Sequence, residues 1–226
     1  MKLEDIGFYT LSDARAKSSG SYSPMYRAEL LLTNACNFRC PYCQGVQENL
    51  RGTIPLKSAQ QMLSYLVDEG LKNVRFSGDE PLLYPNLGEL VTYCKSHSVE
   101  RIAISTNGSA LLEKYLELIE FGVNDFSISL DSSCCSVGTK LCGAVPGAWD
   151  RVVDNIREIS KLAYVTVGMV FTEENVNTAT KDITFADSLG VADIRIISSA
   201  QYNQAIQNLQ LLPNNYLLVT RFFGIE

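Results

Sequence analysis

Six short runs of β-branched and apolar residues alternate with longer amphipathic stretches, and no other sequence feature limits the fold of this chain as strongly. Parallel strands cannot be joined by a tight turn, so each pair needs a crossover, which is usually a helix. Repeated strand and helix signals are therefore typical of an α/β fold with a parallel sheet. The predicted strands are residues 27–32, 73–76, 101–105, 125–130, 164–171 and 193–197.

The stretches between these strands carry apolar residues at helical spacing. Two predicted stripes are Met62, Leu63, Leu66 and Val67, and Val152, Val153, Ile156 and Ile159. These faces are expected to pack outside the sheet. Six strand–helix units without a linker predict a single domain over residues 1–226. It comprises a polar lead-in (1–25), a partial barrel (26–200) and a helical tail (201–226).

Length and composition fit this expectation. A chain of 226 residues that is 46% hydrophobic can bury the core of one domain. No apolar run approaches the length of a membrane span, and the first residues lack the apolar region of a signal peptide, so a cytoplasmic location is expected. A net charge of −6 and a pI near 4.9 argue against a broad basic surface for nucleic acid.

Three of the seven cysteines, Cys36, Cys40 and Cys43, lie close together in the sequence. An odd number of cysteines with one tight group favours a metal in a reducing compartment over disulfides. The irons of a 4Fe–4S cluster are usually bound by cysteine thiolates. A loop that supplies three thiolates leaves one iron open, which indicates catalysis rather than a purely structural site.

Other interpretations of this loop account for fewer of its residues. A structural zinc site needs a fourth ligand, which would have to be a remote residue. The candidates for that ligand are Cys94, His97, Cys134, Cys135 and Cys142. A thioredoxin-like pair of Cys40 and Cys43 leaves Cys36 unexplained. Buried, unreactive cysteines fit poorly with the Asn, Arg and Pro residues between them, which indicate a loop.

The spacing C-x3-C-x2-C, with Tyr42 before the last cysteine, resembles the radical S-adenosylmethionine (radical SAM) superfamily. Three further segments agree in order: 76–83 (FSGDEPLL) resembles the Gly-Gly-Glu-Pro segment of the family, 105–108 (STNG) a strand end, and 127–131 (SISLD) the ribose-side strand. The resemblance covers residues 28 to about 200. It is nearest to the branch of the molybdenum cofactor cyclase and the peptide-modifying enzymes, and it implies a partial (β/α)6 barrel like a TIM barrel.

The positions of these segments support the same site independently. In barrels of parallel strands, chemistry collects where strands end and loops begin. The cysteine loop, residues 78–81, residues 106–108 and Asp131 each follow a different predicted strand. We therefore expect them to surround one pocket.

The resemblance implies that the three cysteines bind a 4Fe–4S cluster and that S-adenosylmethionine (SAM) chelates its open iron. The implied cofactor-binding residues are Tyr42, Ser77, Gly78, Asp79, Glu80, Asn107, Ser129, Asp131, Gly168 and Ser198. Residues 77–80 would hold the amino group of SAM, although Asp79 replaces the usual second glycine.

The remaining implied contacts lie on the other side of the cofactor. Asn107, Ser129 and Asp131 would line its carboxylate and ribose, and turn or helix-cap roles are an equal alternative for them. Tyr42 would lie near the adenine. Gly168 and Ser198, with their neighbours at positions 169 and 197, would also contact the adenine.

Cys134, Cys135 and Cys142 fall in the predicted loop after the fourth strand. The simplest interpretation is three small, semi-buried residues. The sharper hypothesis is that one of these thiols donates a hydrogen atom or contacts the substrate.

The leading prediction is thus a radical SAM enzyme that cleaves SAM to a deoxyadenosyl radical and removes hydrogen from a small molecule or peptide. The alternative is a non-catalytic iron–sulfur protein for electron transfer or redox sensing. An electron donor such as flavodoxin or ferredoxin is expected. The apolar tail, 214–223, also predicts a protein partner or homodimer. The chain is expected to be either a minimal barrel whose open side is closed by the substrate or a partner, or a shortened form.

Overall fold

The computed structural model describes residues 20, 22–43, 52–172 and 175–198. The predicted tail, residues 201–226, lies outside these residues, as does most of the predicted lead-in. Within the described ranges the strands are β1 (Arg27–Thr33), β2 (Asn73–Gly78), β3 (Arg101–Thr106), β4 (Asp125–Ser129), β5 (Tyr164–Phe171) and β6 (Asp193–Ser198). The helices are α1 (Leu56–Asp68), α2 (Leu87–Ser96), α3 (Leu112–Phe121), α4 (Cys135–Leu141), α5 (Ala148–Ile159) and α6 (Ala179–Asp187).

The strands belong to one sheet in the order β1-β2-β3-β4-β5-β6. Strand β1 pairs with β2, β2 with β3, and β5 with β6, in each case in parallel. This confirms the predicted α/β class with parallel strands. Each strand begins at its predicted residue, and each ends within two residues of its predicted end.

The described chain forms two compact units. The first lies within Met1–Cys36, Glu48–Ser105 and Glu113–Phe126, and the second within Asn37–Gln47, Thr106–Leu112 and Ser127–Glu226. The single domain expected from the sequence stays a prediction. None of the helices in the described ranges combines the length and apolar character needed to cross a membrane.

In the first unit, helix α1 buries a stripe different from the predicted one. Ala59 and Leu63 are fully buried and Leu66 and Val67 are half-buried, whereas Met62 is 50% exposed. Residues 59, 63 and 66 recur at the spacing of one helix face, and position 62 is rotated away from it by about 100°. The prediction that Met62 faces the core is therefore wrong.

In the second unit, the predicted stripe of α5 is confirmed. Val152, Val153, Ile156 and Ile159 are all buried. They share this helix face with Asn155, which is 3% exposed and whose polar role is described below. Alternate residues of β5 from Val165 to Phe171 are fully buried as well.

Candidate active site

In the first unit, the end of β2 lies directly against the end of β1 at Gly78. Gly78 has φ +118°, and a Cβ built on it would lie 2.4 Å from the carbonyl oxygen of Thr33. The backbone N–H of Asp79 donates to that same oxygen at 2.9 Å, and the N–H of Glu80 donates to Ala35 O at 3.0 Å. Only glycine fits at position 78, because the contacted oxygen belongs to the backbone and cannot rotate away as a side chain could. The segment after β2 is thus fixed to the residues that lead into Cys36.

The substitution of the usual second glycine by Asp79 does not strain the backbone. The described non-glycine residues with positive φ are Ser98 and Ala144, so Asp79 has an ordinary conformation and Gly78 provides the left-handed one. Glu80 is 3% exposed, and its Oε1 accepts a hydrogen bond from Leu82 N at 3.0 Å, which caps the 3-10 helix Pro81–Leu83. Its predicted role toward the amino group of SAM stays a prediction.

The three cysteines of the motif are divided between the two units. Cys36 follows β1 in the first unit and is half-buried, while Cys40 and Cys43 belong to the second. Cys43 N donates to Cys40 O at 3.0 Å in a tight turn, and the Cys43 side chain is exposed. None of the seven cysteines, all of which are described, forms a disulfide.

Thiols outside disulfides are the donor type that iron–sulfur clusters require, so the residue chemistry fits such a cluster. Among the described residues, however, no three His, Cys, Asp or Glu side chains are gathered as a metal site. The assignment of Cys36, Cys40 and Cys43 as ligands therefore remains a prediction from the sequence.

In the second unit, Tyr42 and Asp131 are hydrogen-bonded to each other. The Tyr42 hydroxyl donates to Asp131 Oδ2, and Val170 N donates to Asp131 Oδ1 at 2.7 Å. Burial raises the pKa of Asp131 to about 6, against the opposing effect of these two donors. Burial and the nearby Asp131 carboxylate raise the pKa of Tyr42 as well. The pair joins the cysteine loop to the ends of β4 and β5.

Two buried residues that the sequence did not single out support Asp131. The side-chain amide of Asn175 donates to Asp131 O at 2.8 Å and to Val170 O at 2.9 Å. Asp182 accepts from Ser133 N at 2.6 Å, two residues further along the chain. Asn175 lies 44 positions from Asp131 and Asp182 lies 49 positions from Ser133, and no local pattern marks either contact.

A second polar network joins the cysteine loop to the segment after β3. Asn107 Nδ2 donates to Asn37 Oδ1 at 2.7 Å, and Asn37 Nδ2 donates to Ser109 Oγ at 2.8 Å. Ser109 N also donates to Asn107 Oδ1 at 3.0 Å, a turn geometry common for Asn. Asn37 was missed because its only sequence signal is its place between Cys36 and Phe38.

Helix α5 supports the turn around Gly108, between Asn107 and Ser109. Gly108 has φ +78°, and a Cβ there would lie 2.7 Å from Ile128 Cγ2. Buried Asn155 donates to Gly108 O and to Ala110 O, each at 2.8 Å. This explains why a polar side chain lies on an otherwise apolar helix face: it donates to two backbone carbonyls that need hydrogen-bond donors.

Comparison with known proteins gives the family. A family model described as the radical SAM superfamily matches residues 30–186, which is more than half of the chain. The chain belongs to the radical SAM superfamily. Enzymes of this family use a 4Fe–4S cluster and SAM.

Sequence relatives of this radical SAM chain include GTP 3',8-cyclases. A probable GTP 3',8-cyclase of Metallosphaera sedula is 26% identical over 200 residues, covering 83% of this chain and 62% of that protein. The GTP 3',8-cyclase of Chlorobaculum tepidum is 34% identical over 112 residues, covering 46% of this chain and 32% of its own length. The chain thus spans less than two thirds of these relatives.

Solved structures of radical SAM proteins share the fold. Streptococcus suis SuiB bound to S-adenosylmethionine matches with a TM-score of 0.69 at 16% identity, covering 86% of this chain and 45% of SuiB. SuiB bound to the precursor peptide SuiA matches with a TM-score of 0.70 at 15% identity, covering 86% and 46%. The likeness confirms the fold class predicted from the sequence, that of the radical SAM core.

The remaining predicted radical SAM residues differ in accessibility. Ser129 is exposed at the end of β4. Gly168 is buried, and a Cβ there would make an ordinary contact of 3.5 Å with Arg195 Nη2. Arg195 Nη2 donates to Ser127 Oγ at 3.3 Å. Met169 is fully buried as a core residue, and the side chain of Ser198 lies outside what the structure describes.

The predicted loop after β4 contains helix α4, which the sequence pattern did not predict. Cys134 and Cys135 lie at its start and are exposed, contrary to the expected semi-buried placement, whereas Cys142 at its end is partly buried. A hydrogen bond with the Ser136 hydroxyl lowers the pKa of Cys134, and burial raises that of Cys142.

Proposed function

We propose that this chain binds a 4Fe–4S cluster through Cys36, Cys40 and Cys43 and acts on SAM. The observation that carries the proposal is the C-x3-C-x2-C motif, which lies inside the matched region and whose three thiols are outside disulfides. When bound, such a cluster supplies the electron that cleaves SAM into methionine and a deoxyadenosyl radical, which removes hydrogen from the substrate. The protein contributes binding, orientation and exclusion of side reactions.

The backbone around Gly78 supports a role in SAM binding. Gly78 fixes the segment that follows the carboxyl end of β2, and in barrels of parallel strands ligands bind at these strand ends. We assign Ser77, Gly78, Asp79 and Glu80 to the amino group of SAM. We assign Ser129, which is exposed at the end of β4, to the ribose side.

Tyr42 and Asp131 have a more specific proposed role. Both carboxylate oxygens of Asp131 accept from protein donors, so this residue holds Tyr42 and thereby the turn that ends in Cys43. Asn107 holds the start of the loop in the same way through Asn37. In this proposal Tyr42, Asp131 and Asn107 position the cysteine loop. Contact with SAM is a second, separate role.

The proposed substrate is a small molecule or a peptide. The sequence relatives are named for a cyclisation of GTP, and the structural neighbour SuiB was crystallised with a precursor peptide. We further propose an electron donor such as flavodoxin or ferredoxin and a cytoplasmic location, which keeps the thiols reduced. A partner or homodimer bound through residues 201–226 stays a prediction.

The test is anaerobic reconstitution with iron and sulfide, followed by dithionite and SAM, with chromatography for deoxyadenosine and methionine. The proposal expects both products from the wild type and none from Cys36→Ser, Cys40→Ser or Cys43→Ser. Cys135→Ser is the matched control, because this thiol is exposed and outside the motif. Cluster-loaded protein that leaves SAM intact would support the electron-transfer alternative, and colourless protein with zinc would contradict both.

A further inference from the structure

The last turn of helix α4 lies against the backbone of the cysteine loop. Arg39 N, one residue before Cys40, donates to Cys142 O at 3.3 Å. The next residue, Gly143, comes so close that a Cβ built on it would lie 2.8 Å from Arg39 Cβ, 2.8 Å from Arg39 N and 3.0 Å from Arg39 C. Contacts this short do not occur for real Cβ atoms, so position 143 has no space for a side chain.

Gly143 lies in the turn that ends helix α4. Gly143 N donates to Lys140 O at 3.1 Å and Ala144 N donates to Thr139 O at 2.8 Å, which is the hydrogen-bond pattern of a Schellman motif. Gly143 has φ +86°, the left-handed conformation that this motif requires. The turn directs Cys142 O toward the Arg39 N–H.

We propose that Gly143 is a positioning residue for the cluster: its missing side chain lets the α4 turn hold Arg39, and through Arg39 it fixes the backbone of Cys40. This inference rests on the proposed role of Cys40 as a cluster ligand. A methyl group at position 143 has to displace the Arg39 backbone, because two of the three contacted atoms are main-chain atoms. The displacement passes to Cys40 through one peptide bond.

Gly190 provides a matched control. It also follows a helix, has φ +81°, and has no atom within 4 Å of the place where a Cβ would lie. Gly190→Ala therefore carries the same backbone penalty as Gly143→Ala without the contact to the cysteine loop. If Gly143→Ala does not fold, Gly143→Asn and Gly190→Asn replace the pair, since Asn tolerates the left-handed conformation better than Ala.

Two measurements on the full chain test the proposal. The first is hydrogen exchange of residues 37–43 in cluster-free protein, where Gly143→Ala should speed exchange at the Arg39 amide roughly tenfold, as expected for the loss of one hydrogen bond. The second is iron bound per chain after reconstitution, which should fall well below that of Gly190→Ala at a similar melting temperature.

The outcomes separate this inference from the proposed function. Exchange and iron content equal to those of Gly190→Ala would overturn the role of Gly143. A wild type that binds no iron would overturn the proposed function, while the exchange measurement would still decide whether Gly143 holds Arg39.

Discussion

Tyr42 donates its hydroxyl hydrogen to Asp131, a carboxylate 89 residues further along the chain that also accepts from Val170 N at 2.7 Å. Tyr42 lies between the last two cysteines of the motif, and Asp131 is 9% exposed. A buried carboxylate that binds two protein donors is a firm anchor, because a lost partner leaves a desolvated charge behind. Within the second unit, Tyr42 thus ties the turn that ends in Cys43 to the segment after β4.

Replacing Tyr42 by Phe tests this anchor. The variant removes the hydroxyl and leaves Asp131 Oδ2 without that donor, so we expect a loss of about 2 kcal/mol in the free energy of unfolding. Denaturant unfolding near neutral pH is the measurement. Tyr65→Phe is the control, since Tyr65 is 59% exposed on α1 and should lose less than about 0.5 kcal/mol. Equal losses in the two variants would show that the anchor is absent.

The pKa of Asp131 predicts a specific pH dependence. Burial raises the pKa from 3.8 to about 6 in the folded chain, so the folded state holds this proton more tightly than the unfolded state. The stabilising effect of protonation is present at low pH and is lost as the pH rises through about 6. The unfolding free energy of wild type minus that of Asp131→Asn should therefore fall, by on the order of 1 kcal/mol between about pH 5 and about pH 8. A difference that is flat or rises with pH would contradict the raised pKa.

Gly78→Ala should be among the most destabilising substitutions in the first unit. The added methyl group would lie 2.4 Å from Thr33 O, and φ +118° disfavours any side chain, so a loss of about 3 kcal/mol or more is expected. Gly70→Ala is the matched control, because Gly70 has φ +94° but its nearest contact would be an ordinary 3.7 Å. Melting temperature and soluble yield are the measurements, and comparable losses in both variants would refute the close approach of β2 to β1.

Asn155→Ala tests the support beneath the turn at Gly108. The variant leaves the carbonyls of Gly108 and Ala110 without their buried donor, which should cost about 2 kcal/mol. Asp154→Ala on the same helix removes only an exposed ion pair with Arg157 and should cost less than about 1 kcal/mol. Denaturant unfolding of both variants gives the comparison. If Asn155→Ala loses no more unfolding free energy than Asp154→Ala, Asn155 does not support the turn.

Local pattern predicted much of the fold. Strand β5 begins and ends at its predicted residues because its β-branched run has clear boundaries. Helix α4 was missed because Ser, Cys, Gly and Thr dominate its sequence and form no apolar stripe. Met62 was misplaced because it lies about 100° around the helix from Leu63, and the sequence alone does not tell where the buried face of α1 ends.

In the candidate site too, the sequence predicts residues with a local pattern and not those that act through distant contacts. Cys36, Cys40 and Cys43 were predicted as ligands because their spacing is local, and the matched region of the family model includes all three positions. Asn175, Asp182 and Gly143 were not found, since each acts on a residue more than 35 positions away that only folding brings near. Sequence thus identifies the groups that carry chemistry, and the structure identifies those that hold them in place.

In the proposed function, three cysteines hold a cluster with one iron open to SAM. The most direct test is electron paramagnetic resonance of the reduced, reconstituted chain with and without SAM. We expect about four irons per chain and a cluster signal that shifts when SAM is added, because SAM then binds the open iron. A cluster signal unchanged by saturating SAM, or a signal retained in Cys36→Ser, Cys40→Ser and Cys43→Ser, would contradict it.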